Sequence, residues 1–126
     1  MIGNRYLKEL YEYEDIDMSL NQLLEYIKFK DKGFIESIFA YPVNLDECNS
    51  KEIFFLTLSA AIIDYFFQIN EIDIPEWTRD ERLVFEKPYY YSKRLTDFEK
   101  VKLQFSSPAP FRRRNVYFEL EGLQRI

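Results

Sequence analysis

The 126-residue sequence predicts a mainly α fold: one small helical domain around a central buried helix, with an irregular, Pro-rich C-terminal segment. Three observations predict it. Apolar residues recur at helical spacing through the first 70 positions, the run at residues 53–63 carries no charge at all, and only Gly3, Gly33 and Gly122 are available for the turns a β-sandwich needs. Hydrophobic residues make up 47% and aromatics 18%, enough to bury a core without metal or disulfide.

The first expected helix covers residues 4–14, with Tyr6, Leu7, Leu10 and Tyr13 on one side. The acidic stretch from Glu12 to Asp17 interrupts it. Ser19 and Gln22 form a capping-box pattern that opens a second helix, whose stripe is Leu20, Leu23, Leu24 and Ile27. Lys28, Lys30 and Lys32 suit its negative end, and Gly33 is expected to stop it. Phe34, Ile35, Ile38 and Phe39 make a third, short stripe that ends before Tyr41-Pro42.

Asn49 with Glu52, or Ser50 alone, starts the strongest element, expected over residues 51–68. A helix apolar on nearly every side belongs at the centre of a core, and Leu56, Ile62, Ile63 and Phe66 should be nearly fully buried. The uncharged run stops at Asp64, short of the ~20 apolar residues that span a bilayer, so no membrane contact is expected. A buried Asp64 requires a partner, for which Arg112, Arg113 and Arg114 are the candidates.

The division falls at residues 71/72: a helical part over 1–71, then an irregular, aromatic and basic module over 72–126. In that module Ile72 to Trp77 reads as an extended link and Pro88-Tyr89-Tyr90-Tyr91 as an extended aromatic loop. Thr96 and Glu99 repeat the capping-box pattern and open a helix through Phe98, Val101, Leu103 and Phe105. Ser107-Pro108-Ala109-Pro110 is expected to be extended, delivering Phe111 and then Arg112, Arg113 and Arg114. Residues 115–120 fit a short strand or a helical turn.

Several chemistries are excluded by composition. There is no histidine, which removes Ser-His-Asp hydrolysis and His-containing zinc sites, and Cys48 is the only cysteine, which removes disulfides and four-Cys zinc. Its neighbours Asp46 and Glu47 disfavour a reactive thiolate. Isolated glycines cannot build a phosphate loop, and the acidic run at 12–17 lacks the spacing of a calcium loop. No catalytic residues, metal or cofactor are expected, and the chain reads as a non-enzymatic binding module. The net charge of −5 is divided: residues 1–74 hold 14 acidic and 6 basic side chains, residues 75–126 hold 8 and 11. A reducing cytoplasm is the expected compartment.

Ile74-Pro75-Glu76-Trp77-Thr78-Arg79-Asp80, Lys87-Pro88-Tyr89-Tyr90, the segment Ser107 to Val116 and the closing Leu123-Gln124-Arg125-Ile126 carry a resemblance as an ordered set. Together, residues 72–126 resemble the C-terminal module of small bacterial proteins encoded beside nucleotidyltransferase-like proteins in toxin–antitoxin-type gene pairs. The resemblance implies an antitoxin-like or regulatory role, a cognate protein as partner, and a nucleotidyltransferase-like toxin as its candidate. The first 70 residues show no helix-turn-helix with base-reading side chains.

On this reading the partner-binding residues are Phe111, Arg112, Arg113, Arg114, Glu12 and Asp15. Two other readings stand beside it. The arginines could staple the tail onto Glu12, Glu14, Asp15 or Asp17, or the basic 93–114 region, with Trp77 and Tyr89 to Tyr91 as stacking surfaces, could bind nucleic acid.

Overall fold

In the computed structural model, residues 2–40, 43–91 and 95–118 are described; Tyr41, Pro42, Lys93, Arg94 and the closing Leu123-Gln124-Arg125-Ile126 lie outside them. The prediction of a mainly helical fold holds: among the described residues, six helices are joined by two single-turn 3-10 segments and one two-stranded pairing.

Helix α1 (Arg5–Tyr11) starts at Asn4, whose side chain accepts from the Leu7 N–H. The same side chain donates to the Ser37 carbonyl and hydroxyl, which ties α1 to α3 (Lys32–Ala40). Helix α2 (Ile16–Lys28) starts earlier than expected, because Asp15 is its cap. Ser19 lies inside the helix and donates to the Leu10 carbonyl at 2.7 Å, satisfying an end group of α1. The stripe Leu20, Leu23, Leu24 and Ile27 is buried as predicted.

Gly33 does not end α2. Phe29 caps it and Lys30 takes the left-handed turn at φ 49°. Asp31 then accepts from the Phe34 N–H, and Gly33 falls in the first turn of α3. A Cβ there would sit 2.5 Å from the Tyr6 hydroxyl, so glycine makes room for Tyr6 against Tyr26 and Phe34.

Helix α4 (Ser50–Ile69) is the centre. Its N-terminus is a complete capping box: Asn49 accepts from Glu52 N–H, and Glu52 accepts from Asn49 N–H. Leu56, Ile62 and Ile63 are fully buried, but Phe66 is only partly so; the buried ring is Phe67, one position on. By length and composition α4 is apolar enough to cross a membrane, and 67% of its most apolar window is buried against the rest of the chain. That is the placement of a core helix. Helices α2 and α6 (Ala109–Arg112) and the turn Glu76–Arg79 pack on it.

Glu52 also accepts from the Ile2 N–H at 2.9 Å. The Asn49 N–H first, and that of Ile2 after it, hold the Glu52 carboxyl below the usual carboxylate range against the opposing effect of burial. A carboxylate depressed in the folded state stabilises above its unfolded pKa and stops doing so as pH falls through the folded one. Stability should therefore decline as pH drops below about 5, and Glu52→Gln should flatten that decline while costing about 1.5–3 kcal/mol at neutral pH, the range for a hydrogen bond to a charged group. Urea midpoints between pH 7 and 3 check this; an unchanged slope in the variant contradicts it.

The C-terminal module departs most from expectation. Ser107 and Pro108 are extended, but Ala109 to Arg112 turn into α6, with Pro110 inside its first turn. Proline is tolerated there because the first helical N–H groups need no partner. The aromatic segment at 85–91 runs along residues 114–117, with strand β1 (Tyr89–Tyr90) parallel to β2 (Val116–Tyr117) in the register Tyr89↔Val116. Helix α5 (Asp97–Ser106) has the predicted Thr96–Glu99 capping box. Of its expected stripe only Leu103 is buried, whereas Phe98, Val101 and Phe105 are exposed.

A buried carboxylate under three arginines

The site grows from Asp64 on α4, which has no exposed surface. Helix periodicity places Gln68 one turn on, and its amide donates to Asp64 Oδ1 at 2.6 Å. Three guanidiniums converge on the same carboxylate. Arg114 Nη1 lies 3.0 Å from Oδ2, Arg113 Nη1 3.7 Å from Oδ2, and Arg79 Nη2 3.9 Å from Oδ1.

Arg114 is buried, at 2% exposure, and is held at both ends of its fork. One nitrogen donates to the Pro110 carbonyl at 2.6 Å and the other to the Thr78 carbonyl at 2.7 Å. One hydrogen on each terminal nitrogen is spent on those carbonyls, and at 3.0 Å Nη1 also gives Asp64 Oδ2 a close charged contact. Burial pushes the Arg114 guanidinium below its ordinary value, and Asp64 pulls it back. This side chain joins α4, α6 and the 76–79 turn.

The four consecutive side chains 111–114 divide by the geometry of α6. Phe111 is fully buried, with Tyr65 at 5.7 Å and Phe118 at 5.0 Å between ring centroids. It is a core residue, which corrects the expectation that it contacts a partner. Arg114, three positions on, points inward for the same reason and is likewise withdrawn from recognition. Arg112 and Arg113 face solvent.

Glu12 and Asp15 are exposed at the α1–α2 turn, with Asp15 occupied as a cap. Among the described residues, no ion pair joins Arg112, Arg113 or Arg114 to Glu12, Glu14, Asp15 or Asp17. The staple exists, but its anchor is Asp64, and the Tyr91 hydroxyl rather than an arginine engages Asp17.

The aromatic rings considered for base stacking already have neighbours. Tyr90 stacks on Tyr117, Tyr91 on Phe118, and Tyr89 meets Phe54 and Phe85. Trp77 is half-buried against the core. Burial pushes the Cys48 thiol up, away from thiolate chemistry. Among the described residues, no three acidic or cysteine side chains gather as metal ligands.

Sequence reasoning found Asp64 and the arginine run but missed Arg79 and Gln68. Gln68 had a signal, its i+4 spacing from Asp64; Arg79 is brought in only by the tertiary fold. No protein-family model matches the chain, and no curated protein or solved structure does either.

Proposed function

We propose that the chain is a non-enzymatic, antitoxin-like or regulatory protein of the bacterial cytoplasm that binds a cognate protein in a toxin–antitoxin-type pair. A nucleotidyltransferase-like toxin is the partner implied by the resemblance of residues 72–126. The observation that supports this reading is the split across the C-terminal end of α6: Phe111 and Arg114 lock the turn into the core, and Arg112 and Arg113 are held outward on it. Guanidinium groups on a fixed turn lose less freedom on binding than the same groups on a loose tail. The exposed acidic side chains Glu12 and Asp15 offer a second contact of opposite sign. Binding of this kind works by steric and electrostatic complementarity and requires no catalytic group.

The test is capture of the product of the adjacent reading frame by the full chain. Wild-type protein should retain it. Arg112→Gln/Arg113→Gln should lose at least tenfold in affinity with near-normal melting, and Glu12→Gln/Asp15→Asn should weaken binding by a smaller factor. A double arginine variant that melts normally and binds as tightly as wild type contradicts the reading. Sub-micromolar, sequence-dependent binding of duplex DNA or single-stranded RNA at physiological salt would put the nucleic-acid alternative, through the basic 93–114 region, in its place.

A further inference from the structure

A cleft of about 200 Å³ opens beside the Asp64 cluster, lined by Thr78, Arg79, Asp80, Leu83, Val84, Arg113 and Arg114. We infer that it is a binding site for a doubly charged oxyanion of the phosphate class, free or as a monoester of a small organic group. This goes beyond the partner-binding reading and its test needs no partner.

The charge arrangement is the first argument. Three guanidiniums share the single carboxylate of Asp64, which leaves two positive charges at the cleft without a counter-ion from that group. Asp80, also on the wall, is engaged by Arg82, which hydrogen-bonds it through two nitrogens and also reaches Asp46 on the outer side. Arg82 offsets only one of its two carboxylates, so the four guanidiniums and three carboxylates named here leave a net +1 at the cleft, which attracts a phosphate monoester of about −1.5 to −2 charge at neutral pH.

Donor geometry is the second. Arg114 spends its fork on two backbone carbonyls, but Arg79 and Arg113 do not: each lies within ion-pair range of Asp64, at 3.9 and 3.7 Å, and among the described residues neither has a hydrogen-bond acceptor. Their side chains are half-exposed, at 54% and 47%, so the donors are open to a ligand. They come from different elements, the 76–79 turn and the end of α6, and meet at one cleft. A carboxylate satisfies one guanidinium fork with its two oxygens; a phosphate monoester has three terminal acceptor oxygens, and free phosphate four, so either can be held from two sides at once. Val84, 45% exposed on the same wall, offers apolar contact to the substituent of a monoester.

The experiment is an amide chemical-shift titration of the full chain with inorganic phosphate, phenyl phosphate and acetate, each against chloride at matched ionic strength. Saturable shifts at residues 78–84 and 113–114 are expected with the two phosphates. Affinity should fall at least tenfold in Arg79→Gln and in Arg113→Gln, and stay within twofold of wild type in Arg112→Gln, whose side chain is not on the cleft. Tighter binding of phenyl phosphate identifies a monoester site, and equal binding identifies free phosphate. No saturation, an equal response to chloride or acetate, or an equal loss in Arg112→Gln overturns the inference. Should Arg113→Gln lose its folded spectrum, Arg79→Gln on the separate turn carries the same test.

Discussion

Replacing Asp64 by Ala is expected to lower stability by about 3–5 kcal/mol, the range for a buried ion pair broken by removing one partner. The loss should sit at the upper end. Asp64 is the common counter-charge of Arg79, Arg113 and Arg114, and its removal leaves one guanidinium fully buried and two more repelling it. Arg114 would keep its bonds to Pro110 and Thr78, which hold its position but supply no negative charge. Urea unfolding followed by far-UV circular dichroism reads this as a lower midpoint at unchanged slope. A variant within about 1 kcal/mol of wild type would mean that the pair behaves as an exposed one.

Ile63→Asp is expected to abolish the folded state. Ile63 has no exposed surface and lies on α4 next to Asp64, in the core cluster that includes Leu56, Ile62 and Phe67. A second carboxylate there would have to be desolvated beside the first, at a cost of several kcal/mol against a total stability of ~5–15 kcal/mol. The expected spectrum lacks cooperative thermal unfolding. Ile63→Val, which removes one methylene, should cost only about 0.5–1.5 kcal/mol and keep the transition. A soluble, cooperatively folding Ile63→Asp protein would show that α4 is not central.

Both effects concern the element most legible in the sequence. The position of α4 follows from local chemistry, an uncharged run preceded by Asn49 and Glu52, and the start of α5 follows from Thr96 and Glu99 in the same way. Elsewhere local signals were ambiguous. A proline φ near −60° serves an extended segment and the first turn of a helix equally, and ψ of the neighbours decides between them. At α6 that decision comes from burying Phe111, a tertiary effect. Once α6 is known, spacing of three from Phe111 selects Arg114 as the inward arginine; with an extended segment assumed, the three could not be distinguished. Gly33 misled as a stop signal because its reason for being glycine is Tyr6, 27 positions earlier in the chain. Lys30 turns the chain instead, at a left-handed φ that its residue type does not announce.

The candidate site was legible in part for the same reason. A carboxylate inside an apolar helix and a run of guanidiniums are each visible in one dimension, and burial of the first requires something like the second. Arg79 reaches the cluster only because the 76–79 turn packs on α4, and no periodicity within its own segment signals that.

The division of labour in the arginine run is the central claim, and side-by-side urea denaturation of Arg114→Gln, Arg113→Gln and Arg112→Gln tests it most directly. Arg114→Gln should lose about 3–5 kcal/mol, since it strips Asp64 of its nearest charge and leaves the Pro110 and Thr78 carbonyls without their donor. The half-exposed Arg113 and the exposed Arg112 should each stay within about 1 kcal/mol of wild type. An Arg114→Gln protein as stable as wild type, or an Arg112→Gln protein as damaged as Arg114→Gln, would contradict the account.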